Sequence, residues 1–226
     1  MSETALPETN HAPVDSRTQA MRSAIRLFLF AVVATALLSA TYQLSHPRIE
    51  ASLAAEKMKF INEVLPPDRY DNDLLTDTRT LPATPELGQK SESIVYRARK
   101  NGVPTAVVLE AIAPDGYAGN IRLVMGITLQ GEITGVRVVA HQETPGLGDY
   151  IDPRKDKNKI RPWISQFTGL FAPEVSDEEW RVKKEKGRFD QRAGATVSPR
   201  AVINAVHRAA RFAERMGTAF FEEKTP

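Results

Sequence analysis

Charge is unevenly spread along the chain. From Leu27 to Leu44 it reads LFLFAVVATALLSATYQL, without one charged residue. A helix rises about 1.5 Å per residue, so this stretch covers about 27 Å, close to the ~30 Å hydrocarbon core of a bilayer. Arg17, Arg22 and Arg26 precede it, and only Arg48 follows closely. That asymmetry predicts a single-pass anchor with a cytoplasmic N-terminus and everything after Leu44 on the far side. Two other readings are weaker. A buried soluble helix is seldom this long and uncharged, and a leader cut after Ser39-Ala40 would put Leu38 where a small residue is wanted. The expected segments are a cytoplasmic tail over 1–22 and a transmembrane anchor over 23–45. Residues 1–20 are polar, contain prolines and lack apolar periodicity, so the tail reads as disordered.

After Pro47, the apolar positions Ile49, Leu53, Phe60, Ile61 and Val64 form a helical stripe that Pro66-Pro67 stops. Residues 66–92 are rich in Pro, Asp and Thr and read as a loop, so 46–92 is expected to be a connecting helix and loop. A domain over 93–226 follows. Ile94–Tyr96 fits an edge strand, Asn101-Gly102 a hairpin turn, and Val107–Leu109, Ile121–Met125 and Ile127–Leu129 further strands. Gln130–Glu132 makes another turn before the alternating run Ile133–Val139. Strands joined by short turns predict an antiparallel sheet rather than βαβ units. Trp163, Ile164 and Phe167 suggest a short amphipathic helix, and Ser176–Arg188 a charged loop or hairpin. The last element is the clearest helix. Ser198 is a suitable N-cap before Pro199, and Val202, Ala205, Val206, Ala209, Phe212, Ala213 and Met216 share one face before Gly217 ends it. The fold class is α+β: an N-terminal transmembrane helix, then a largely antiparallel sheet packed by helices.

Composition narrows the chemistry. The net charge of +2 gives no field that would favour nucleic acid. The absence of cysteine removes disulfides, cysteine-ligated clusters and thiol nucleophiles, and the four histidines are too scattered for a metal site. The basic run Pro153–Pro162 reads as a solvated face, with an anionic lipid or an acidic partner as the sharper alternative.

Two motifs remain. His141-Gln-Glu-Thr-Pro-Gly-Leu-Gly148 follows a strand directly, and Glu143 and Thr144 bring hydrogen-bonding groups to the sheet end. Asp190-Gln-Arg-Ala-Gly-Ala-Thr196-Val-Ser-Pro199 leads into the last helix. Small Gly194 and Ala195 leave the Thr196 hydroxyl open to a bulky group, and the helix start beyond it suits a phosphate. Taken separately, each is equally compatible with a polar turn and a capped helix.

Together and in this order, HQETPGLG and AGATVSPRAV resemble the covalent FMN-binding domain family, in particular the G subunits of Rnf/Rsx ion-translocating electron transport complexes. The resemblance extends over the N-terminal span, the G-Y-A-G segment at Gly116–Gly119, the W-I-x-x-F helix and the run Gly146–Asp152. It implies FMN bound covalently, through its phosphate, to Thr196. A flavin transferase would use FAD as donor and recognise Gly194, Ala195 and Asp190. The loop bearing Glu143, Thr144, Gly146 and Leu147 would lie near the flavin. The implied partners are the other Rnf/Rsx subunits and the lipid bilayer, with no nucleic acid. The implied location is the bacterial inner membrane with a periplasmic FMN domain. The implied role is an electron relay within a translocase linking NADH or ferredoxin oxidation to ion movement, with no catalytic centre beyond the flavin and no metal. One position departs from the pattern: the family has Ser or Thr where this chain has Ala193. The alternatives are the C subunit of the sodium-translocating NADH:quinone reductase, which shares the domain, and a cofactor-free structural or assembly module.

Overall fold

A computed structural model describes residues 16–222, without the side chains of Ser16 and Thr18. The first helix, α1, spans Ser16–Val64 with Pro47 inside it. The expected tail over 1–15 lies outside the described residues, and residues 16–20, expected to be irregular, are helical. The chain forms two compact units, up to Leu53 and from Ala54 onward. In the first, the helix is long and apolar enough to cross a membrane and exposes Leu27, Phe28, Phe30, Leu37, Leu38 and Leu44.

The second unit is built on a six-stranded antiparallel meander: β1 (Thr78–Leu81), β2 (Ser93–Lys100), β3 (Val103–Gly116), β4 (Gly119–Thr128), β5 (Glu132–Ala140) and β6 (Leu170–Phe171), adjacent in chain order. Residues 66–92, expected to be a loop, contain β1, which pairs Thr78 with Tyr96 and Leu81 with Ser93. β2 is therefore an interior strand and not the edge that its charged residues suggest. Arg97 and Arg99 are accommodated because Asp77, at the start of the β1 segment, accepts from both guanidinium groups at 2.6 and 2.8 Å.

Side chains alternate between the two faces. Val107, Leu109, Ala111 and Ala113 of β3, with Ile121, Leu123, Met125 and Ile127 of β4, face the second helix, α2 (Val197–Met216). Ala106, Val108 and Val124 face the other way, onto Ile61, Val64, Leu65 and Leu74. The stripe expected after Pro47 is thus buried only at its end: Ile49 and Leu53 are exposed, while Ile61 and Val64 are not. Two paired glycines, Gly126 and Gly135, allow this approach. A Cβ on Gly135 would lie 2.8 Å from the Val64 Cα. The Thr134 hydroxyl donates to the Val64 carbonyl at 2.5 Å, satisfying an end-of-helix acceptor that has no partner within the helix.

Between β5 and α2 the chain is irregular, with short 3-10 turns that include Gly148–Ile151 and Trp163–Phe167. An aromatic series binds them: Tyr150, Trp163, Phe167, Phe189 and Trp180 follow one another at centroid distances of 5.8, 5.7, 4.8 and 5.4 Å. Trp180 stacks on His207 of α2 at 4.8 Å. This tethers the irregular region, including the expected Ser176–Arg188 loop, to the same core as the sheet.

Candidate functional site

The two sequence motifs meet. A cavity of about 270 Å³ is bounded by Glu143, Thr144, Leu147 and Gly148 on one side and by the run Gly194–Ser198 on the other, with Tyr117 also at its wall. The β5 end delivers the first loop and the N-terminus of α2 the second.

The first loop is shaped by two local devices. Leu147 N–H donates to the Thr144 carbonyl at 3.1 Å, and Gly146 sits at φ 77° behind Pro145, the arrangement of a type II turn. His141 Nδ1 accepts the Glu143 N–H at 3.1 Å. Glu143 is turned inward and is only 4% exposed. Its carboxylate accepts the Ala118 N–H at 3.1 Å and the Ser198 hydroxyl, so one side chain joins the β3–β4 turn, this loop and α2. Gly116 and Gly148 leave room for it: a Cβ on either would come within 2.8 Å of a Glu143 carboxylate oxygen.

The second loop is a turn from Arg192 to Ala195, closed by Ala195 N–H to the Arg192 carbonyl at 3.2 Å, with Gly194 at φ 80°. Tyr150 clamps both its ends. The buried phenol accepts the Arg192 N–H at 3.2 Å and donates to the Ala195 carbonyl at 3.0 Å. Burial pushes the phenol above its usual pKa although Arg192 pulls it down, so it keeps the proton it donates. Arg192 stacks over the Tyr150 ring at 4.4 Å and pairs with the buried Asp156. Burial alone would raise the Asp156 pKa. The N–H groups of Trp163 and Asn158 and the Arg192 guanidinium more than offset it and hold the carboxyl below the usual range.

α2 begins two residues earlier than expected. Thr196, not Ser198, is the N-cap, and its hydroxyl makes no capping hydrogen bond. Ser198 lies inside the first turn, where its hydroxyl is drawn to Glu143. Thr196 is half-buried on the cavity wall. The first N–H groups of a helix have no acceptor within it, so those of Val197 and Ser198 stand beside an uncommitted hydroxyl. The α2 macrodipole adds partial positive charge here. These features fit a group with a phosphate at one end, and the mixed walls suit a planar ring system.

Of the expected site residues, Thr196, Ala195, Gly194, Glu143, Thr144 and Leu147 line this cavity. Gly146 shapes the loop without lining it. Asp190 lies elsewhere: its carboxylate pairs with Lys183 at 2.5 Å, and it borders a neighbouring groove. Tyr150, Asp156 and Arg192, which hold the turn, carry no sequence signal of that role beyond the position of Tyr150 in the G-L-G-D-Y run.

An antiparallel meander backed by a helix, whose N-terminus opens on a cleft with a free hydroxyl, defines a domain suited to a phosphate-bearing cofactor. Residues 116–211 match the family model of the FMN-binding domain, and residues 16–64 match that of the RnfG N-terminal region. The chain is 42% identical over 189 residues to the G subunit of the ion-translocating oxidoreductase complex of Shewanella baltica, covering 84% of this chain and 87% of that one. It is 44% identical over 197 residues to the G subunit of the same complex in Pseudomonas aeruginosa, covering 87% and 90%. A crystal structure of Shewanella oneidensis NqrC is similar at 20% identity and a TM-score of 0.41, over 70% of each chain. The chain belongs to the family of G subunits of ion-translocating oxidoreductase complexes and contains an FMN-binding domain.

Proposed function

We propose that this chain is the membrane-anchored, electron-carrying flavoprotein subunit of an ion-translocating oxidoreductase complex, with FMN held by a phosphoester to Thr196. The observation that carries the attachment is the uncapped Thr196 hydroxyl at the N-terminus of α2, open to the cavity. The N–H groups of Val197 and Ser198 would hold the phosphate next to it. In forming the ester, Thr196 Oγ would bond to the FMN phosphorus of FAD, the pyrophosphate bond would break, and AMP would leave as the hydroxyl proton is lost. A separate flavin transferase would perform that step. Bound FMN supplies exchange of one or two electrons, while the protein fixes its position and environment. The protein side chains bind and orient: Glu143 fixes α2 against the loop, and Tyr150 fixes the turn that presents Thr196. No further catalytic centre is needed in this subunit, and ion translocation belongs to the assembled complex.

The arginine excess before Leu27 supports an inner-membrane anchor with its N-terminus in the cytoplasm and everything after Leu44, the FMN domain included, in the periplasm. A covalent tether suits that side, where a lost flavin is hard to replace. Two experiments test the proposal. After co-expression with a flavin transferase, peptide mass mapping should find FMN on the peptide containing Thr196. FMN on another peptide would reject the attachment site. A reporter active only in the periplasm, fused after Pro226, should be active, and a silent fusion would reverse the orientation.

A further inference from the structure

A second and larger cavity, about 520 Å³, lies between the basic loop and the segment leading into the Thr196 turn. Four cations border it, Arg161, Lys183, Arg188 and Arg192, against two carboxylates, Asp156 and Asp190. Arg192 is committed to Asp156 and Lys183 to Asp190. Arg161 and Arg188 are exposed and form no ion pair among the described residues, although Arg188 is attracted at longer range to exposed Glu179. The groove therefore keeps a net charge of +2 in two uncommitted guanidinium groups, the side chain best suited to bidentate recognition of carboxylates.

The groove is held in shape from both sides. Asp156 accepts the N–H groups of Asn158 at 2.9 Å and Trp163 at 2.7 Å, and Asn158 in turn accepts the Arg161 N–H at 3.0 Å. Lys159 reaches back to the Arg154 carbonyl at 2.7 Å. On the other wall, Asp190 N–H donates to Gln166 at 2.7 Å, and its carbonyl accepts the Trp163 indole N–H at 2.5 Å. The backbone segments that carry Arg161 and Arg188 are thus held in place, which lowers the ordering cost of binding. Next to Arg161 in the chain, Ile160 is 100% exposed, an apolar side chain standing in solvent.

We infer that this groove docks an acidic segment of a partner protein, pairing its carboxylates with Arg161 and Arg188 and covering Ile160 with an apolar side chain. Concavity favours a protein segment over an anionic membrane, because a flat headgroup layer cannot reach the walls of a groove. The inference does not depend on the flavin at Thr196, and flavin content is read separately.

The test uses the full chain reconstituted in phosphatidylcholine nanodiscs and a fluorescent oligoglutamate peptide ending in leucine, followed by anisotropy. The wild type should bind saturably, and more weakly as salt rises. Arg161→Glu with Arg188→Glu should weaken binding by about tenfold or more, whereas the same charge change at Lys155 and Lys157, outside the groove lining, should cost less than about threefold. Arg161→Gln with Arg188→Gln, which removes charge without reversing it, should rank between wild type and the Glu pair. All variants should keep covalent flavin. Absence of saturable binding, or equal losses for the two Glu pairs, would overturn the proposal. So would capture by phosphatidylglycerol vesicles through the same arginines without peptide binding.

Discussion

The Thr196 hydroxyl is held in place by side chains that never line its cavity. Tyr150 bridges Arg192 N–H and the Ala195 carbonyl, and Asp156 anchors the Arg192 guanidinium. Tyr150→Phe keeps the ring packing but leaves a buried carbonyl and N–H unpaired. It should cost about 1–3 kcal/mol in denaturant unfolding and slow flavin incorporation, whereas changing Arg161 and Arg188 should not slow it. Asp156 makes the turn sensitive to acid. Its carboxyl sits below the usual range in the folded chain, so the stability it lends is complete above the unfolded value of about 4 and is lost as pH falls through the folded one. Unfolding midpoints of wild type and Asp156→Asn should therefore differ at pH 7 and converge as the pH drops below about 4. A gap that widens on acidification would contradict this account. Ala193 is exposed at the same turn, which closes through Ala195 N–H and Tyr150 without a hydroxyl at that position.

Among the elements, periodicity was the reliable guide. The apolar face of α2, Val202 to Ala213, is buried as its spacing predicts, and β3, β4 and β5 fall where apolar runs and turns indicate. β1 was hidden because TRTL has no apolar alternation. It is fixed by pairing to β2, a tertiary event that local pattern does not encode. The start of α2 departs from its local signal for a related reason. Ser198 has the chemistry of a cap, but a buried carboxylate contributed by a distant loop competes for its hydroxyl. The motifs themselves were legible. The Tyr150 clamp was not, since nothing local links it to a turn beginning 42 residues away. One element contact is open to direct challenge. Gly135→Ala would drive a Cβ into the Val64 backbone at the end of α1, and neither backbone segment yields cheaply. It should destabilise the domain by about 1–3 kcal/mol in denaturant unfolding, and a Gly135→Ala variant as stable as the wild type would contradict the close approach.

For the whole molecule, the architecture joins an apolar helix, long enough to cross a bilayer, to a domain of the FMN-binding family. The central claim is that its cofactor is bonded to the chain at Thr196. The most direct measurement is flavin fluorescence of the full-length protein after co-expression with a flavin transferase and separation on a denaturing gel, where only a covalently held flavin stays with the band. The wild type should fluoresce, Thr196→Ser should retain signal because it keeps the hydroxyl, and Thr196→Val should be dark at equal protein. A dark wild type, or a Thr196→Val band as bright as wild type, would contradict the account.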